Sequence, residues 1–173
     1  SLIQKYDNLL VVQTFSKSRA MAGLRVGYAI GSEKLIKYLS DVKFSFNSYT
    51  INRPTLALGV EALRDEAYFR EIVGRIVATR ERVKRALREL GFGFPDSRAN
   101  FIFASHESVP AKQIYQALRE KDIYVRYWDK PRISESLRIT VGTDEQMDRL
   151  VEVLETYIKN FHLCGCAGRR GSA

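Results

Sequence analysis

The chain has 173 residues, 45% hydrophobic and 28% charged, with 11 glycines and 4 prolines; that length suits one domain or two small lobes, and the composition excludes a collagen-like or wholly disordered chain. The formal charge of +8 would suit an acidic partner, but the basic residues are mixed with acids along helical stretches, as in Arg64-Asp65-Glu66 and Arg80-Glu81-Arg82, and no aromatic-basic stripe marks a nucleic-acid surface. No stretch approaches the roughly 18 apolar residues of a membrane span and no secretory signal is visible, so the expected location is the cytoplasm, without membrane or nucleic-acid partners.

Residues 8–15, Asn-Leu-Leu-Val-Val-Gln-Thr-Phe, are a short apolar run with β-branched side chains, which predicts a buried strand. Residues 25–31 predict a second strand. The stretch between them, Ser-Lys-Ser-Arg-Ala-Met-Ala-Gly-Leu, is too short and too rich in small residues for a long helix and reads as a loop or single turn. Lys17 therefore falls just beyond the C-terminal end of a strand, the edge at which α/β sheets bind ligands. A parallel strand with one neighbour cannot cover both its faces, so something else is expected to complete that sheet.

Ser32 is a cap candidate before Leu35, Ile36, Leu39 and Val42, which predicts a helix over 32–42 followed by a loop over 44–50. Helices are expected over 52–63, with Pro54 tolerated in the first turn, and over 66–90. The second of these, nearly 40 Å long at about 1.5 Å per residue, is expected to join two lobes. From residue 91 the pattern becomes a strand at 99–104, a helix at 110–121, strands at 123–126 and 136–141, and a final helix at 144–158. Residues 160–173 are unlike anything before them and read as a disordered tail. Within the tail, Cys164 and Cys166 with His162 fall short of a tetrahedral metal set, so no metal is expected.

The chemistry concentrates in Thr14-Phe15-Ser16-Lys17-Ser18-Arg19-Ala20-Met21-Ala22-Gly23-Leu24-Arg25-Val26-Gly27-Tyr28. A lysine that reacts with an aldehyde cofactor must be held at a fixed strand end beside an anion site. Small residues around Lys17 leave room for a planar ring. Thr14 and Ser16 offer hydroxyls, and Arg25 offers a two-pronged donor for a phosphate. Each is unremarkable alone, since a lone lysine is almost always a solvated charge; together they are specific. In the second lobe, Leu137-Arg138-Ile139-Thr140-Val141-Gly142-Thr143 puts an arginine on an otherwise apolar strand, which is costly to bury unless an anion meets it.

These two motifs resemble the class II aminotransferases of pyridoxal-phosphate fold type I, and among them the histidinol-phosphate aminotransferase family, over residues 1–158. The resemblance implies an α/β fold: the end of the cofactor-binding large domain over 1–65, a connecting helix over 66–90, a complete α+β small domain over 91–159 and the tail. It implies pyridoxal 5'-phosphate as cofactor, with Lys17 attached to it and moving the substrate proton, and Thr14, Ser16 and Arg25 holding its phosphate. Arg138 would bind the substrate's anionic group and Arg126 would lie near the substrate phosphate, although a surface salt bridge is the plainer reading of Arg126 beside Tyr127 and Asp129. Asn47 and the Ala99-Asn100-Phe101 strand also match family positions, but most asparagines at strand and loop starts simply bond backbone. The implied reaction is ping-pong amino transfer between histidinol phosphate, or a similar amine, and 2-oxoglutarate or glutamate, in a homodimer. The family fold is about twice this length, so the chain reads as its C-terminal half, inactive alone. Another enzyme of the fold, such as an aromatic aminotransferase or a threonine-phosphate decarboxylase, and a non-catalytic dimerising fragment remain open on these motifs.

Overall fold

A computed structural model describes residues 2–167, with side chains through Leu163. The chain divides into two compact units, Ser1–Val73 and Gly74–Ala173, and the boundary falls inside one helix.

The first unit opens with a helical turn α1 (Leu2–Lys5), then a two-stranded antiparallel hairpin of β1 (Val11–Thr14) and β2 (Gly27–Ile30), paired from Val11↔Ile30 to Thr14↔Gly27. Helix α2 (Glu33–Phe46) starts on Ser32, whose hydroxyl accepts from the Leu35 N–H at 3.4 Å. Helix α3 (Arg53–Arg64) starts on Asn52, whose side chain accepts from the Thr55 N–H at 2.8 Å, with Pro54 in the first turn where its missing N–H costs nothing. The Ser32 cap falls where the sequence places it; the Asn52 cap is a finding of the structure. Helix α4 (Glu66–Glu89) then begins.

Three expectations are corrected here. The β1 run reads as a buried strand, yet Val12 is 70% exposed, because only β2 pairs with it and nothing in the unit covers that side. The strands form an antiparallel hairpin rather than a parallel edge. Helix α2 runs four residues past Val42 to Phe46: Phe44 and Phe46 break the apolar period but do not stop the backbone, and Asn47 ends the helix through its N–H to the Lys43 carbonyl at 2.8 Å.

In the second unit, β3 (Phe92–Gly93), β4 (Phe101–His106), β6 (Leu137–Thr140) and β5 (Arg126–Tyr127) form a sheet in the order β3-β4-β6-β5, every pair antiparallel. The pairs Ile102↔Ile139 and Ala104↔Leu137 put one face of β4 and β6 into the core. Val83 and Leu87 of α4, Ile114 and Leu118 of α5 (Ala111–Arg119), and Leu150, Leu154 and Ile158 of α6 (Asp144–Ala167) join them in one cluster. The opposite face carries the alternate residues Phe103 and Arg138, paired across the same ladder. Strand β3 carries no alternation of its own, and β5 sits later than the expected 123–126.

The expected tail is corrected as well. Helix α6 passes Lys159 and runs to Ala167, because Phe161 continues the apolar spacing of Leu154 and Ile158 and packs beside the core. Residues 168–173 and the side chains of Cys164 and Cys166 lie outside the described residues. Among the described residues no helix is long and apolar enough to cross a membrane.

Candidate active site

Lys17 stands on the loop that joins β1 to β2. The ladder continues one bond beyond the strands, the Phe15 N–H donating to the Val26 carbonyl at 3.2 Å. The loop closes on itself: Ala20 N–H donates to the Lys17 carbonyl and Met21 N–H to the Phe15 carbonyl, each at 3.0 Å. A 3-10 turn over Ala22–Leu24 then leads into Arg25. Ala20 and Arg25 adopt left-handed backbone, φ 55 and 54, a conformation that costs a non-glycine residue about 1 kcal/mol or more and persists where the surroundings fix it. Gly27 cannot be replaced cheaply: a Cβ there would lie 2.6 Å from the Gln13 carbonyl oxygen across the hairpin.

The side chains form a set of donors. Thr14 Oγ1 accepts from the Ser16 N–H at 3.0 Å and donates to Ser16 Oγ at 2.8 Å, which leaves the Ser16 hydroxyl proton for an outside acceptor. Arg25 donates to the Ala22 carbonyl at 2.8 Å, spending part of its five-donor fork. Lys17 is exposed and has no side-chain hydrogen bond or ion pair among the described residues. Two hydroxyls, a guanidinium and an amine at one end of one hairpin, with no carboxylate among them, fit an anion carrying an electrophilic carbon.

The segment is tethered from both sides. Phe15, between Thr14 and Ser16, is the one buried apolar side chain of the first unit among the described residues, 6% exposed, and its Cε2 would lie 3.9 Å from a Cβ at buried Gly59 of α3. Arg19 donates to the Ala62 carbonyl near the end of α3 and to Glu66 at 3.3 Å, and its guanidinium lies 3.9 Å from the Phe69 ring centroid. A hydrogen bond from Arg70 is the chief cause that holds the Glu66 carboxyl below its ordinary pKa; burial opposes it, and a weaker hydrogen bond from Arg19 adds to it.

In the second unit, Arg126 of β5 and Arg138 of β6 are Cα partners across the ladder, on the face away from the core. Arg138 Nε is buried and has no hydrogen-bond partner. The guanidinium of Arg138 lies 5.4 Å from the Phe101 ring centroid and 5.3 Å from that of Trp128, and the guanidinium of Arg126 lies 5.4 Å from the same Trp128 ring. The salt bridge considered for Arg126 does not form with Asp129, which pairs with Lys112 at 2.9 Å.

The family model for class I and II aminotransferases matches residues 1–154. The chain belongs to that family. It is 52% identical over 159 residues to the histidinol-phosphate aminotransferase of Brachyspira hyodysenteriae, covering 92% of this chain and 45% of that relative. Among solved structures of the aminotransferase fold, the histidinol-phosphate aminotransferase of Clostridium acetobutylicum superposes with a TM-score of 0.82 at 24% identity, over 91% of this chain and 48% of that one. The Sinorhizobium meliloti histidinol-phosphate aminotransferase, solved with pyridoxal 5'-phosphate, gives 0.73 at 23% identity, over 90% and 42%. The chain spans about half the length of the curated relatives it matches.

Within this aminotransferase-family chain the structure gathers Thr14, Ser16, Lys17 and Arg25 on one hairpin, and Arg126 with Arg138 on one sheet face. Asn47 bonds locally, its Oδ1 accepting from the Tyr49 N–H at 3.0 Å. The Asn100 carbonyl accepts from the Val141 N–H at 2.9 Å. Arg19 and Trp128 carry no assigned role in the sequence reading. Only the arginine two residues after the lysine, and the aromatic two residues after Arg126, were there as signals.

Proposed function

We propose that this chain carries the cofactor-lysine and substrate-anion portions of a pyridoxal-phosphate-dependent aminotransferase acting on histidinol phosphate or a similar phosphorylated amine, with 2-oxoglutarate or glutamate as the second substrate. The observation that carries the reading is the carboxylate-free set of two hydroxyls, an amine and a guanidinium, Thr14, Ser16, Lys17 and Arg25, at the end of one hairpin. The 52% identity to a histidinol-phosphate aminotransferase supports the substrate class. The activity belongs to the whole protein, which we take to be a cytoplasmic homodimer.

The residues fit the cofactor. Ser16, its hydroxyl oriented by the Thr14 proton, would donate to the cofactor phosphate, and Arg25 would offer it a guanidinium fork, a pairing stronger than neutral hydrogen bonds. Lys17 provides the amine that joins the cofactor and, once displaced from it, the base that moves a proton at the substrate carbon. Pyridoxal 5'-phosphate supplies the aldehyde that takes up amino groups and the ring that accepts an electron pair. Arg138 and Arg126 hold the substrate's anionic group, Arg138 with the Nε that no protein atom satisfies.

The test is reductive trapping. The chain is incubated with pyridoxal phosphate, reduced with borohydride and mapped for the pyridoxyl group. Label on Lys17 is expected. Label confined to other lysines removes Lys17 from its role.

A further inference from the structure

Arg126 and Arg138 face each other across β5 and β6, and like charges directly opposite in a ladder repel. Neither meets a carboxylate among the described residues, and Asp129, three residues from Arg126, is held by Lys112. What both share is one indole. Trp128, half-buried just after β5, has its ring centroid 5.4 Å from the Arg126 guanidinium and 5.3 Å from that of Arg138. A ring face attracts a guanidinium through its flat side and leaves the in-plane N–H fork unspent, whereas a carboxylate partner would occupy that fork.

We propose that Trp128 is a positioning residue for this pair: its indole holds the two guanidiniums together as one preformed receptor for a doubly charged oxyanion, with their N–H edges kept for the ligand. The proposal rests on the reading above that the two arginines bind the substrate's anion. Holding both groups before binding removes the ordering cost that two mobile side chains would otherwise carry into the complex. It also accounts for the unsatisfied Arg138 Nε, which the anion completes.

Trp128 is the only tryptophan of the chain, so its emission reports on the site directly. The 173-residue chain is titrated with inorganic phosphate at fixed ionic strength, following tryptophan fluorescence and phosphorus NMR together. In the wild-type chain a saturable change in emission is expected, with the same midpoint as an NMR component that Arg138→Gln abolishes. No saturable response, or one that Arg138→Gln leaves intact, removes the arginine reading and the proposal with it. Trp128→Phe keeps a ring face and should bind phosphate within about threefold of wild type, while Trp128→Leu should bind about tenfold more weakly at unchanged circular dichroism, the size expected for a lost cation–π contact. Wild-type affinity in Trp128→Leu overturns the role of the indole while the arginine reading stands. Should Trp128→Leu fail to fold, the wild-type chain still decides: emission and the Arg138-dependent NMR component that saturate at different phosphate concentrations overturn the proposal.

Discussion

Phe15 is the hinge between the core of the first unit and its candidate chemistry, and Phe15→Ala should show how strongly the two are tied. The ring is 6% exposed and is the only buried apolar side chain of that unit among the described residues. Its immediate neighbours Thr14 and Ser16 carry the hydroxyls, and its backbone closes both the ladder, to Val26, and the lysine loop, from Met21. Truncating a buried phenylalanine costs about 3–5 kcal/mol. With no second buried apolar side chain in that unit among the described residues to share the load, that loss should appear as local opening of the hairpin. In terms of opening equilibria it is about 150-fold to 4,000-fold, or the whole protection of the unit if its stability is smaller. Hydrogen exchange read by mass spectrometry measures this directly: amides of Val11–Thr14 and Gly27–Ile30 should exchange faster by that factor, while those around Ile102 and Ile139 in the second unit keep their wild-type rates. Trapping of pyridoxal phosphate at Lys17 should fall in parallel. Hairpin amides that stay within about threefold of wild type would refute the claim that Phe15 holds the loop in place.

Other outcomes are open to measurement. Gly59→Ala should stabilise the first unit by about 0.5–1 kcal/mol, since Gly59 lies in the interior of α3 and the new Cβ would meet Phe15 Cε2 at an ordinary 3.9 Å; thermal unfolding should move up by roughly 2–8 °C, and a fall would mean the ring is packed more tightly than that. The second unit should lose stability on acidification in two windows. His106 Nδ1 accepts from the Ser108 and Val109 N–H groups while Nε2–H donates to the Leu90 carbonyl at 2.8 Å, and burial pulls its pKa below the ordinary 6.5 despite that last bond and Glu107; the unfolded chain thus binds the proton more readily, and the His106 contribution, full above 6.5, is lost as pH falls from there towards the lowered value. Asp96 and Glu81, held below their ordinary 3.8 and 4.5 chiefly by Lys84, and Asp144, held below 3.8 chiefly by Arg82, contribute in full above those values and lose it below them. His106→Asn should therefore flatten the upper window of a urea-denaturation pH profile and leave the lower one, and an unchanged upper window would exclude His106 as its source. Arg138→Lys keeps the charge but loses the two-oxygen fork; affinity for a phosphate monoester should fall about 30-fold to 4,000-fold with Lys17 labelling intact, and equal loss of both would indicate unfolding instead of a lost anion contact.

The motif around Lys17 was legible because its chemistry is local. A lysine, two hydroxyls and an arginine within twelve residues, separated by small residues, need only a hairpin to converge. Ser32 was legible for the same reason, since a cap bonds a backbone N–H three residues on. The long helix α4 and the inward faces of α5 and α6 follow from apolar spacing alone. By contrast, the run at residues 8–15 fixes a strand but not its partner; an apolar strand reads the same whether neighbours bury it or, like Val12, it stands 70% exposed.

The sequence by itself therefore determined the order of the elements apart from α1 and β3, the starts of the longer helices, and which residues carry reactive groups, because each depends on neighbours within a few positions. Only the tertiary structure decided the antiparallel pairing of β1 with β2, the close approach that demands glycine at position 27, the anchoring of the lysine loop by Phe15 and Arg19, and the placement of Arg126 opposite Arg138 against Trp128. Arg126 and Arg138 lie twelve residues apart in sequence, and their meeting is set by the register of two strands. That register is fixed by which face of β6 the core claims: Leu137 and Ile139 point inward, so Arg138 must point out, beside whatever β5 places across from it.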